Sequence, residues 1–249
     1  MTKKIIAVDL DGTLLNNESK LSDFTKETIK KISEKGHHVI ITTGRPYRMA
    51  KDFYRELELH TPMINFNGSL THLPGQTWEH EKCLTLDKKY LLDMVKRTED
   101  IQADFIAGEY RKKFYITTPN EEIADPKLFG VENFRPENQF KPERVTKDPN
   151  CILLQTRAED KYALADEMNR FYQHQLAINT WGGPLNILEC TPKGVNKAFA
   201  LEYLLNVMNR DKKDLIAFGD EHNDTEMLLS LIHISDPTRQ SEISYAVFC

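Results

Sequence analysis

Apolar and polar positions come in alternating blocks along residues 1–80. Ile5–Val8 is a continuous apolar run that ends in Asp9-Leu10-Asp11-Gly12 and reads as a buried strand. From Leu21 to Lys35 the spacing predicts a helix, with Ser22 as N-cap and Phe24, Ile29 and Ile32 expected on one side. Gly36 closes that helix. Val39-Ile40-Ile41 then predicts a second strand running into Thr42-Thr43-Gly44-Arg45, and a helical stretch from Tyr47 to Leu57 leads to a third strand around Met63–Phe66. Strict alternation of strand and helix predicts a parallel sheet with helices on both faces.

The middle of the chain has a different rhythm. Leu70–Trp78 reads as a hairpin around Pro74-Gly75. It is followed by a helix over 87–98, strands near Phe105 and Phe114–Ile116, and a proline-rich irregular stretch from Pro119 to Pro149. A strand at Ile152–Leu154, a helix over 159–171 and a strand at Leu176–Asn179 complete the segment. Hairpins and helices segregated in this way predict an α+β insertion, placed at 84–183. The alternating pattern resumes with a strand at Asn186–Glu189, a helix from Val195 to Met208 and a strand at Leu215–Phe218 that ends in Gly219-Asp220. The expected division is therefore 1–83 plus 184–249 for the core and 84–183 for the inserted unit. No internal repeat is visible.

Composition narrows the possibilities. Hydrophobic residues make up 40% and charged residues 29%, an ordinary balance for a soluble globular chain. The formal charge of −5 and the lack of a long basic run argue against a nucleic-acid partner. Arg111-Lys112-Lys113 reads as solvated surface. Cys83, Cys151, Cys190 and Cys249 form no CxxC pair and suit neither a zinc site nor a disulfide framework. A reducing, cytoplasmic setting is expected, with no membrane association, because the apolar run before Asp9 is too short for a signal peptide or a span.

The polar residues at the strand ends carry the chemistry. Ligands of open parallel sheets bind outside the carboxyl ends of the strands. There the first strand delivers Asp9 and Asp11, the second Thr43, and the last Asp220 with Asn223 and Asp224 beyond it; a helix start supplies Lys197. Carboxylates so crowded need a cation, and hard oxygen ligands suit magnesium. A hydroxyl and an ammonium beside that ion are what a phosphoryl group in transfer requires. Taken singly, each piece has a structural explanation: a turn, a helix cap or a solvated lysine. Their order along the chain makes the case.

Asp9-Leu10-Asp11-Gly12-Thr13-Leu14-Leu15 resembles the first motif of the haloacid dehalogenase-like superfamily, Thr43-Gly44-Arg45 its second, Lys197 its third, and Gly219-Asp220-Glu221-His222-Asn223-Asp224 its fourth. The Thr-Gly-Arg form, Phe66-Asn67-Gly68 and the placement of the insertion resemble the Cof-type subfamily. That resemblance implies an α/β fold, a Rossmann-like parallel-sheet core carrying an inserted α+β cap of the C2B type. It also implies a cytoplasmic phosphatase acting on a small phosphorylated metabolite such as a sugar phosphate. By the same resemblance Asp9 is the nucleophile, Asp11 the general acid and base, and Thr43 and Lys197 hold phosphoryl oxygens. Gly12, Gly44, Arg45 and Asn67 lie near the substrate, and magnesium is bound by Asp9, the Asp11 carbonyl and Asp220, supported by Asn223 and Asp224.

Some readings stay open. Lys193 competes with Lys197 for the third motif, and Lys197 is preferred because it follows the Gly-Val step. A phosphosugar mutase and a non-catalytic phosphometabolite-binding protein are the alternatives in function; the oligomeric state is not legible. Trp181-Gly182-Gly183 reads as a turn with one aromatic packed beneath, or as a loop over the leaving group. His37 and His38 are expected in an exposed loop, and His222 on the rim of the site. After Leu228 the sequence departs from the family pattern, and 229–249 resembles translated adapter sequence. That segment is expected to be non-native.

Overall fold

A computed structural model describes residues 3–232. The chain separates into two compact units, one of Met1–Arg45, Ala50–Lys82 and Val195–Cys249, the other of Pro46–Met49 and Cys83–Gly194.

The first unit is built on a parallel sheet. Strands β1 (Ile5–Val8), β2 (His38–Ile41) and β11 (Leu215–Phe218) lie in the order β11-β1-β2, with Ile5 opposite both Leu215 and His38. A parallel bridge from Thr42 to Ile64 continues to β3 (Met63–Asn65), which pairs antiparallel with β4 (Leu70–His72); β5 (Lys82–Cys83) flanks β4. Helix α1 (Asp23–Glu34) starts where Ser22 accepts the Thr25 N–H at 3.0 Å, as its cap position predicts. Phe24 does not join the buried side with Ile29. It is 80% exposed, because five residues of helix turn it well away from Ile29. Helix α2 (Tyr47–Glu56) follows β2, and helices α5 (Lys197–Val207) and α6 (Thr225–Ile232) cover one sheet face. There Ala200, Leu201, Leu204, Leu205 and Met227 pack on Ile5, Ala7, Ile40, Ile64 and Leu215. The second arm of the predicted hairpin falls at β5 rather than by Trp78, which stacks edge-on against His80 in the connection. His38 opens β2 instead of lying in an exposed loop, and both His37 and His38 are half-buried.

The second unit holds a five-stranded antiparallel sheet, β7-β6-β8-β10-β9. Its strands are β6 (Ala103–Glu109), β7 (Phe114–Ile116), β8 (Cys151–Thr156), β9 (Leu176–Thr180) and β10 (Ile187–Pro192). Helices α3 (Lys88–Lys96) and α4 (Lys161–Phe171) cover one face, where Leu91, Met94, Leu164 and Met168 meet Ile106, Ile152, Leu154, Ile178 and Leu188. Arg48 forks onto the buried Glu109 at 2.7 and 2.8 Å, which ties the Pro46–Met49 segment into this unit.

One expected boundary is corrected. The strand predicted at 186–189 does not resume the parallel sheet: β10 is central in the antiparallel one, with Leu188 opposite Leu154 and Thr180. An apolar run such as Ile187-Leu188 marks a strand buried on both faces and says nothing of its partners' direction. The chain re-enters the first unit at Val195 rather than at 184. Of the segment expected to be non-native, α6 includes 229–232, and 233–249 lies outside the described residues.

Candidate active site

The site is assembled within the first unit. Asp9 follows β1 directly and is 4% exposed, with its N–H donating to the Phe218 carbonyl at 3.0 Å. The chain then makes one wide helical turn over Leu10–Leu14, closed by Leu15 N–H on the Leu10 carbonyl at 2.8 Å. Gly12 takes a φ of +70° in that turn. A Cβ there would lie 2.0 Å from Asp220 Oδ2, so both the conformation and the close approach require glycine. Thr13 Oγ1 donates to Asp220 Oδ1 at 3.0 Å. This contact was not anticipated, although Thr13 stands two residues past Asp11 in the same motif.

Lys197 opens α5, where Asn196 caps the helix by accepting the Phe199 N–H at 2.8 Å. Its ammonium is fully buried and donates to Asp9 Oδ1 at 2.8 Å and to Asp224 Oδ1 at 2.8 Å, with Asn223 Oδ1 at 3.5 Å. Lys193 is exposed and belongs to the second unit, where it lines a groove with Arg170 and His174. The two lysines are thus placed very differently, and Lys197 is the one beside Asp9. Asp224 uses its other oxygen to accept the Asp220 and Glu221 N–H groups, both at 3.2 Å, which bends the loop after β11 so that Asp220 returns toward Asp9.

One oxygen from each of Asp9, Asp220 and Asp224 can be taken within 4.8 Å of the others. Burial pushes the Asp9 carboxyl up to about 6, against the lowering pull of Lys197. Three carboxylates around one ammonium leave an excess of negative charge and hard oxygen donors.

Thr43 is buried at the end of β2, with its N–H on the Ile64 carbonyl at 3.0 Å and its Oγ1 accepting the Arg45 N–H at 3.1 Å. Gly44 leaves room for Asn67, whose amide oxygen accepts from Asn223 Nδ2 at 3.1 Å. Asn67 itself sits at φ 51°, so the segment after β3 folds back toward the Thr43 carbonyl that its N–H reaches at 3.1 Å. Arg45 forms a two-point ion pair with Asp11, a pairing that no spacing rule predicted. His222 is exposed, as expected. Trp181 belongs to the second unit and donates to Glu189 at 3.3 Å, while buried Lys161 caps the carbonyls of Trp181, Gly183 and Leu185. Among the described residues no helix is long and apolar enough to cross a membrane.

A parallel sheet with acidic residues at its strand ends, the buried Lys197 beside them and a separate α+β unit match a known family of hydrolases. The sequence profile of the haloacid dehalogenase-like hydrolases matches residues 6–233. A Bacillus subtilis (strain 168) protein, 5-amino-6-(5-phospho-D-ribitylamino)uracil phosphatase YitU, is 31% identical over 229 residues, covering 90% of this chain and 82% of its own. Among solved structures, a haloacid dehalogenase-like hydrolase from B. subtilis superposes with a TM-score of 0.72 at 22% identity, covering 94% of this chain and 93% of its own. A subclass IIB sugar phosphatase, BT4131, superposes with a TM-score of 0.71 at 20% identity, covering 91% and 84%. The chain belongs to the haloacid dehalogenase-like hydrolases.

Proposed function

We propose that this chain is a magnesium-dependent phosphatase of small phosphorylated metabolites that works through an aspartyl-phosphate on Asp9. The observation that carries the reading is the buried Lys197 ammonium spanning Asp9 and Asp224 at 2.8 Å each, with Asp220 within reach. A binding protein has no need of a buried carboxylate held next to a lysine with a second carboxylate, Asp11, two residues away.

The donor set fits magnesium: all-oxygen, acidic and partly open to solvent through the exposed Asp220. Asp9, Asp220 and the Asp11 main-chain carbonyl would hold the ion, with Asn223 and Asp224 in support. When bound, magnesium neutralises charge on the phosphoryl oxygens and on the attacking carboxylate.

The chain's own groups account for the rest. An Asp9 oxygen attacks phosphorus in line, the bond to the leaving oxygen breaks, and that oxygen takes a proton from Asp11. Asp11, now a carboxylate, removes a proton from water, whose oxygen attacks phosphorus and releases phosphate and the Asp9 carboxylate. Lys197 and the Thr43 hydroxyl hold phosphoryl oxygens, and the turn at Gly12 aims main-chain N–H groups at the same place. Gly44, Arg45 and Asn67 border the substrate. The named activity of the 31% identical relative favours a sugar or sugar-alcohol phosphate as substrate, a ribityl phosphate among them. A cytoplasmic setting accords with such metabolites.

The test is release of inorganic phosphate from p-nitrophenyl phosphate and a panel of sugar phosphates, with magnesium and with chelator. Turnover that needs magnesium and vanishes in Asp9→Asn is expected. Folded protein that binds these phosphates without turnover would overturn the reading.

A further inference from the structure

The Asp11 carboxylate is held by Arg45 at both oxygens: Arg45 Nε donates to Oδ2 at 2.8 Å, and the terminal Nη2 to Oδ1 at 2.5 Å. The arginine is itself built in. Its N–H is on Thr43 Oγ1, its carbonyl accepts from Asn65 Nδ2 at 2.9 Å, and its guanidinium carbon lies 5.6 Å from the centre of the Phe53 ring. The Arg45 side chain is 21% exposed and the Asp11 side chain 50% exposed. A planar fork that engages both carboxylate oxygens fixes the plane of that carboxylate, which one point charge cannot do.

We infer that Arg45 is the residue that positions Asp11 as a general base for the second half of the reaction, beyond any contact it makes with substrate. The inference rests on the phosphatase reading above. In the second half Asp11 acts as a carboxylate, the form that the guanidinium holds in place. It takes a proton from water, the water oxygen bonds to phosphorus, and the bond from phosphorus to Asp9 breaks with its electron pair returning to the carboxylate. In the first half, with a nitrophenolate leaving group, the departing oxygen is stable without a proton. Loss of the fork therefore spares formation of the aspartyl-phosphate and slows its hydrolysis.

The experiment is rapid-quench turnover of p-nitrophenyl phosphate by wild type, Arg45→Ala and Arg45→Lys, with intact-mass detection of the phosphorylated protein. General-base assistance supplies roughly 10²–10⁴-fold, so misorientation of the base should lower steady-state turnover by about ten- to a hundred-fold. Arg45→Ala should give a burst of nitrophenol equal to the enzyme, accumulated phosphoenzyme and a KM no higher than wild type. Arg45→Lys, keeping the charge on one contact, should recover part of the hydrolysis rate. A raised KM with unchanged turnover, or no phosphoenzyme and no burst in Arg45→Ala while wild type is active, would make Arg45 a substrate ligand and overturn the inference. Wild type without turnover would instead remove the phosphatase reading on which it stands.

Discussion

Replacing Lys197 by methionine probes both the stability and the electrostatics of the site. The ammonium is fully buried between two carboxylates that are themselves 4% and 0% exposed. Taking it away leaves two like charges facing each other without water, and breaking a buried pair from one side costs about 3–5 kcal/mol. Methionine keeps most of the volume, so a cavity adds little. With a urea slope of about 2 kcal/mol/M for a unit of this size, the midpoint should fall by about 1.5–2.5 M. Trp78 packs against the apolar core of the first unit, and the sequence has two tryptophans, so Trp78 fluorescence in a Trp181→Phe background reports that unit alone. The measurement is made at pH 7.5 in chelator. Lys30→Met, an exposed lysine of the same unit, serves as the control and should shift stability by less than about 0.5 kcal/mol. A Lys197→Met loss below about 1 kcal/mol, or one equal to the control, would refute the claim that this ammonium is the internal counterion of the site.

Other outcomes follow from separate features. Gly12→Ala forces a Cβ to within 2.0 Å of Asp220 Oδ2 at a φ of +70°, a strain of roughly 1–3 kcal/mol; activity should drop more than about tenfold and the magnesium concentration for half-activation should rise, and an unaltered magnesium dependence would contradict the geometry. Burial pushes the Cys151 and Cys190 thiols well above their ordinary range, so in a Cys83→Ser, Cys249→Ser background a thiol reagent should stay unreacted with native protein at pH 8 and modify both on unfolding; fast native labelling would show that β8 and β10 are not packed as described. Burial, and then the charges of Arg210, Lys3 and His37, hold His38 below its ordinary value of 6.5. The unfolded chain therefore binds that proton more readily, and stability falls as pH drops below 6.5. His38→Gln should flatten that part of the stability profile, and an unchanged profile would place the acid sensitivity elsewhere.

The parallel core was legible because each of its strands is a short apolar run followed at once by a polar cluster, and α1 carries its own start signal in Ser22. The candidate residues could be named for the same reason, since chemistry placed at strand ends stays visible in a linear sequence. What was not legible is what depends on partners far along the chain. The direction of β10 is set by β8 and β9, and its own apolar run suits a parallel or an antiparallel neighbour equally. Phe24 was expected on the buried side of α1 with Ile29 and is solvent-facing by angle. The Arg45–Asp11 fork joins residues 34 positions apart in the sequence, and Lys197 reaches Asp9 across 188. Spacing rules within one helix or strand hold no information about such pairs. The choice between Lys193 and Lys197 could be argued from the Gly-Val step, but it is the burial of Lys197 that separates them physically.

The account turns on a covalent phosphoryl group at Asp9. The most direct measurement is acid quench during turnover, followed by borohydride reduction and peptide mass analysis. An acyl phosphate at Asp9 is reduced to homoserine, so the peptide beginning near Lys3 should carry homoserine at position 9 only when substrate and magnesium were both present. Homoserine at another acidic residue, or an unmodified Asp9 in enzyme that is turning over with hydrolysis slowed by Asp11→Asn, would contradict the account.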